Sequence, residues 1–121
     1  MKFTCVDCFS GAGGLALGLA RANFKLLLSF DNDPLCIQTQ LQNPRYFDYP
    51  IHLADVDQML GGILMQLIGI TKGELDLLAG GPPCQGFSIQ RIGADEDDRN
   101  DLVLKYIHLV EEVMPKFFLM E

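Results

Sequence analysis

A lone thiol, Cys84, stands in "AGGPPCQGFS" (79–88), behind two glycines and two prolines and just ahead of Gly86. Proline fixes φ and removes an amide donor, and glycine allows tight turning, so the backbone is held in one shape at the sulfur. Such a stretch can be plain punctuation between elements. It can also present the thiol, and a thiolate in a strand-end loop beside a helix start is a strong nucleophile. A buried structural cysteine does not require that preparation. A second group lies upstream: "GAGGLA", Gly11 to Ala16, fits G-x-G-x-x-G/A, whose glycines let a ligand approach the backbone closely. Asp31 follows Gly11 by 20 residues, at a place where a carboxylate can accept from two ribose hydroxyls. The pair suggests an adenine nucleoside, but does not separate a nicotinamide cofactor from S-adenosylmethionine. Asp55 could accept from the adenine amino group, with Val56 lining the base, although "ADVD" reads equally well as a helix cap.

These residues matter only if the fold gathers them. "FTCVDCF" reads as a first strand and "GGLALGLARANF" as a helix, with Leu15, Leu17, Leu19 and Ala20 at helical spacing with Phe24. "KLLLSFD" is a second strand, and "DPLCIQTQLQN" a helix with Asp33 as N-cap and Pro34 at its first position. "YPIHLA" is a weak third strand, and "VDQMLGGILMQLIG" a helix weakened by Gly61 and Gly62. "ELDLLAG", "DLVLKYIHLVEEVM" and "PKFFLME" complete the series as strand, amphipathic helix and strand. Alternation of this kind implies an α/β fold, a parallel sheet with helices on both faces. Ligands of open parallel sheets bind beyond the carboxyl ends of the strands. Gly11, Asp31, Asp55, Cys84 and Glu121 then share one edge.

The 121 residues have the length of one domain, with 49% hydrophobic and 21% charged residues, as globular chains have. No apolar run approaches the ~18 residues of a membrane span. "MKFTCVDCFSG" reaches Gly and Ser too soon for a signal-peptide core, so an intracellular protein is expected. On a strand, Cys5 and Cys8 point to opposite faces, which argues for reduced core thiols over a redox pair. His52 and His108 lack partners at metal-ligand spacing, and no metal is expected. The net charge of −7, much of it in "ADEDDRND", is awkward for a nucleic-acid binder, which needs a basic surface.

Taken in order, "DCFSGAGGLALGL", "SFDND", "LLAGGPPCQGFS" and "DDRNDLVLKYIHLVEEVMPKFFLME" resemble the cytosine-C5 DNA methyltransferase family over nearly the whole chain. The Pro-Cys-Gln motif is specific to that family, and the D-x-R-x-x-L spacing of Asp97, Arg99 and Leu102 supports it independently. The resemblance implies a Rossmann-like, S-adenosylmethionine-dependent fold, here ending after its fifth strand. It implies that Cys84 adds to C6 of a cytosine flipped out of double-stranded DNA, and that Glu121 protonates N3. C5, made nucleophilic, then takes the methyl group of S-adenosylmethionine. It places Phe9, Gly11, Ala12 and Gly13 around the methionine part, Asp31 on the ribose, and Asp55 with Val56 at the adenine. Pro83 and Leu102 complete the wall, and Asn32 stands where the family often has a larger residue over the base. The loop from Gln85 to about Arg99 resembles the family's mobile loop, with Gln85, Ser88, Gln90 and Arg91 toward DNA.

The family's later motifs are not in these residues. Residues 1–121 are therefore expected to be the N-terminal part of the cofactor-binding and catalytic domain, without the target-recognition domain and the C-terminal part. That also accounts for the acidic charge, since most basic DNA-contacting surface would lie elsewhere. Alone, such a piece is expected to be inactive, with activity requiring a complementing C-terminal polypeptide. Its place would be cytoplasm or nucleoid in a bacterium and the nucleus in a eukaryote. Two rivals stand beside this reading. A dinucleotide-dependent oxidoreductase would explain "GAGGLA" and Asp31 but not "GGPPCQGFS". A catalytically dead methyltransferase-like fragment would act only by binding a partner.

Overall fold

The computed structural model describes residues 1–83 and 98–121. Five parallel strands form one sheet in the order β3-β2-β1-β4-β5. They are β1 (Phe3–Cys8), β2 (Phe24–Asp31), β3 (Ile51–Leu53), β4 (Leu77–Gly80) and β5 (Phe117–Met120). The helices are α1 (Gly14–Arg21), α2 (Pro34–Leu41), α3 (Gly61–Ile68) and α4 (Asp98–Val113). The chain therefore has the doubly wound α/β architecture expected, and β1 and β4 flank the point where the strand order reverses.

The side-chain period of two divides the core. Val6, Cys8, Leu28, Phe30 and Leu78 face one side and meet Leu64 of α3 with Tyr106, Leu109 and Val113 of α4. Cys5, Leu26, Leu77 and Ala79 face the other and meet Ala16 and Leu19 of α1. Cys5 and Cys8 thus fall on opposite faces, both buried and both free. Each Leu or Phe fully buried in this way contributes about 1.5–3 kcal/mol. On α4, Tyr106, Leu109 and Val113 recur at helical spacing and make one buried stripe. Asp33 caps α2, its Oδ1 accepting from the Leu35 amide at 2.9 Å, and Pro34 occupies the first turn.

Two stretches differ from the sequence expectation. Phe24 begins β2, and Ala20 is exposed, so α1 buries Ala16 and Leu19 instead of the longer stripe. The single helix read across "VDQMLGGILMQLIG" is two pieces, a 3-10 turn at Val56–Gln58 and α3 from Gly61. The reason lies in α4. A side chain at 61 would collide with Glu112, while the Gly61 amide donates to Glu112 Oε1 at 3.3 Å, so glycine opens the helix where α3 crosses α4. Among the described residues β5 is an edge strand, and Phe117, Phe118, Leu119 and Met120 are all exposed.

Candidate functional site

The carboxyl ends of β1 and β4 border a cleft of about 490 Å³ lined by Asp7, Phe9, Ser10, Leu15, Pro83 and Glu121, among others. It opens at the reversal point of the sheet, where ligands of this architecture bind. The glycine loop runs beside it, between the lining residues Ser10 and Leu15. Gly11 and Gly13 both hold positive φ, +56° and +99°, and the Gly13 amide closes the turn on the Ser10 carbonyl at 3.0 Å. At Gly13 a Cβ would sit 2.5 Å from the Phe47 ring, so that position excludes a side chain twice over.

Phe9 also holds a positive φ, +54°, a strained state for a residue with a bulky side chain. Phe9 lines two hollows. One is the cleft just described; the other is a shallow recess lined by Phe9, Phe30, Asp31, Asn32, Ala54, Asp55, Val56 and Leu102. Six residues read as cofactor contacts, Phe9, Asp31, Asn32, Asp55, Val56 and Leu102, thus meet at one recess, and Pro83 lines the neighbouring cleft. Gly11, Ala12 and Gly13 are the loop beside them and line neither hollow.

Asp31 is already engaged. Its Oδ2 accepts from the Gly11 amide and its Oδ1 from the Asp33 amide, both at 2.9 Å, so it fastens the glycine loop to the end of β2. Each oxygen keeps a second lone pair for a ligand hydroxyl. Asp55 Oδ1 accepts from Asn32 Nδ2 at 3.0 Å, and the Asp55 amide donates to Gln58 Oε1 at 2.8 Å. Asp55 therefore caps a turn, as one reading of "ADVD" has it, and it also lines the recess.

Glu121 continues the register of β5, its amide donating to the Gly80 carbonyl at 2.9 Å, and it lines the cleft. Facing it is a residue that the sequence reading passed over. Asp7 sits in an otherwise apolar stretch of β1, is 1% exposed, and neither carboxylate oxygen has a hydrogen-bond partner of ordinary geometry. Burial above all, then the charges of Glu121 and Asp31, push its pKa up to about 7; the nearby Ala16 amide opposes this and is the smallest effect. The available signal was a lone acid inside an apolar strand, four residues ahead of Gly11. Across the two hollows the acids are Asp7, Asp31, Asp55 and Glu121, and among the described lining residues none is Lys or Arg. Such a site favours a cationic ligand.

The described thiols are poor nucleophiles. Burial, reinforced by Asp7, pushes Cys5 up to about 12 and Cys8 well above its ordinary value. Cys36 on α2 is raised by desolvation and by its Sγ contact with Asp33. Cys84, with Gln85, Ser88, Gln90 and Arg91, lies outside the described residues. Pro83, at the mouth of the cleft, brings the chain to within one residue of Cys84. Among the described residues, no His, Cys, Asp and Glu cluster has the form of a metal site, and no helix is long and apolar enough to cross a membrane.

Known proteins match this arrangement. A family model described as "C-5 cytosine-specific DNA methylase" matches residues 3–121. The type II methyltransferase M.XorII of Xanthomonas oryzae is 39% identical over 117 residues, covering 96% of this chain and 27% of that protein. The type II methyltransferase M.HgiGI of Herpetosiphon aurantiacus is 35% identical over 119 residues, covering 96% of this chain and 86% of that protein. A solved structure described as a DNA modification methyltransferase encoded within an E. coli prophage superposes with a TM-score of 0.80 at 34% identity, over 98% of this chain and 31% of that one. Against several of the curated relatives it matches, the chain spans only 27–48% of their length.

Proposed function

The chain belongs to the C-5 cytosine-specific DNA methylase family, and from that premise we propose that it is the N-terminal part of the cofactor-binding and catalytic domain of a DNA (cytosine-5-)-methyltransferase. The observation that carries this reading is the unpartnered Asp7 carboxyl in an acid-lined cleft beside the Phe9 ring. A buried carboxyl without a partner is costly unless a ligand supplies one. S-adenosylmethionine carries a sulfonium and an ammonium, and it fits a site of that charge better than an anionic dinucleotide does.

S-adenosylmethionine, when bound, supplies an electrophilic methyl group. Asn32, Asp55 and Val56 would hold its adenine, and Asp31 the ribose. Phe9, the loop of Gly11, Ala12 and Gly13, and the cleft at Asp7 and Ser10 would hold its methionine part, with Pro83 and Leu102 completing the wall. The remaining chemistry falls to this chain. The Cys84 thiolate adds to C6 of a flipped-out cytosine in double-stranded DNA, and the Glu121 carboxyl protonates N3 to ease that addition. Once C5 has gained its methyl group, solvent takes the C5 proton. The electron pair of that C–H bond re-forms the C5–C6 double bond as the C6–S bond breaks, and the N3 proton returns to Glu121, which restores Cys84 and the acid. Glu121 shares its cleft with Asp7 at the carboxyl ends of the strands, where a flipped base and the cofactor would meet. Gln85, Ser88, Gln90 and Arg91 would face DNA.

A polypeptide of residues 1–121 is proposed to be inactive alone, because it spans only 27–48% of several relatives and β5 is an open sheet edge among the described residues. The test is transfer of a radiolabelled methyl group to mixed-sequence DNA, with calorimetric titration of S-adenosylmethionine and of NAD alongside. Turnover only with the complementing polypeptide, and binding of S-adenosylmethionine but not NAD, is the expected result. Preference for NAD would overturn the cofactor assignment. A completed enzyme that transfers no methyl group would favour a dead, partner-binding fragment.

A further inference from the structure

On α2 the order of polarity is inverted. Leu35 and Leu41 are 72% and 59% exposed, while Gln40 beside them is fully buried. Transfer free energy would favour the opposite arrangement, so Gln40 is held in by its hydrogen bonds. It makes four. Nε2 donates to the Gly11 carbonyl at 2.7 Å and to Ser10 Oγ at 2.9 Å, while Oε1 accepts from Ser29 Oγ at 3.2 Å and from Tyr49 Oη at 3.4 Å. These use both N–H donors and both lone pairs of the side-chain amide.

The orientation of that amide is fixed by chemistry. The Gly11 carbonyl can only accept, so the nitrogen must face the loop and the oxygen must face Ser29 and Tyr49. Two consequences reach the cleft. Gly11 is held from the side opposite Asp31, whose carboxylate takes the Gly11 amide, so both polar groups of Gly11 are fastened while its φ is positive. Ser10 Oγ, accepting from Gln40, keeps its own proton to donate, and Ser10 lines the cleft. A donor there suits the anionic end of an amino acid, among lining residues that otherwise supply carboxylates.

We infer that Gln40, which touches neither hollow, is a positioning residue for the cofactor loop: its side-chain amide sets the shape of residues 10–13 and aims the Ser10 hydroxyl into the cleft. This rests on the cofactor reading above, and the two can fail separately. The experiment compares Gln40→Met, similar in size but without donors, with Tyr49→Phe, which removes a bond from the far end of the same network. The readout is hydrogen exchange of the Gly11 and Gly13 amides against Val6 and Leu28 in the sheet, together with calorimetric affinity for S-adenosylmethionine.

In Gln40→Met the loop amides should exchange at least about tenfold faster with the sheet amides unchanged, and affinity should fall by about tenfold, the scale of one net hydrogen bond. Tyr49→Phe should leave the loop amides and the affinity within about twofold. Unchanged loop exchange in Gln40→Met would overturn the inference. So would an equal rise in loop and sheet exchange in both variants, which marks a purely structural role. If Gln40→Met does not fold, Ser10→Ala decides, because it removes one of the two loop groups that the amide holds. A local rise in loop exchange supports the inference and no change sinks it. If the unmodified chain binds no S-adenosylmethionine, the cofactor reading fails, and the exchange pattern still decides the role of Gln40.

Discussion

Gly80, the last residue of β4, packs against the ring of Tyr106, so close that a Cβ would sit 2.5 Å from Cε1. The Tyr106 hydroxyl in turn lies 2.8 Å from the Leu78 carbonyl and 2.9 Å from that of Leu119, and one shared proton serves both. A single α4 side chain thus joins β4 to β5. Its burial pushes the phenol well above its ordinary value, which keeps it a donor throughout the working range. Gly80→Ala must displace that ring, and overpacking of this kind costs about 1–3 kcal/mol. Urea denaturation of the two proteins checks it; equal stabilities would show that the ring yields freely.

Asp7 makes stability depend on pH. Its folded-state pKa, about 7, lies above its ordinary 3.8, so the folded chain binds the proton more tightly than the unfolded one. Stability from this group is therefore highest below about pH 4, falls as pH rises to about 7, and is level above that. The full difference is up to about 4 kcal/mol. Asp7→Asn should remove that slope and be the more stable form at pH 8. Denaturation midpoints at pH 5 and pH 8 give the comparison, and an unchanged slope in Asp7→Asn would assign the pH dependence to other groups.

Asp31 fastens the glycine loop and faces the recess, so it should affect ligand binding in two ways. Asp31→Ala is expected to weaken S-adenosylmethionine binding by roughly 1.5–3 kcal/mol, the scale of hydrogen bonds to a charged group. Calorimetry on the folded variant reads this directly. Unchanged affinity would remove Asp31 from the ribose site.

Cys84→Ser, in a complete enzyme, should abolish methyl transfer and leave cofactor affinity nearly intact. A hydroxyl is a far weaker nucleophile than a thiolate near neutral pH. Substantial methylation by the serine variant would sink the nucleophile assignment, since Cys5 and Cys8 are buried and their thiols are raised.

Local patterns in the chain settled much of the architecture. Runs such as "KLLLSFD" and the 106–109–113 stripe of α4 carry their own periodicity, and Asp33-Pro34 carries its own cap, so each element is set by nearby residues. The glycine loop, Asp31 and Glu121 were legible because they follow strands, and in a parallel sheet everything after a strand shares one edge. The split at Gly61 was not legible, because it answers to Glu112, which is 51 residues away in sequence. The same holds for Asp7 and Gln40. Their types gave only a lone acid in a strand and a polar residue on a short helix. Burial depends on what packs across from a residue, and only the folded sheet put Asp7 and Glu121 in one cleft and closed Ser10, Gly11, Ser29 and Tyr49 around one amide.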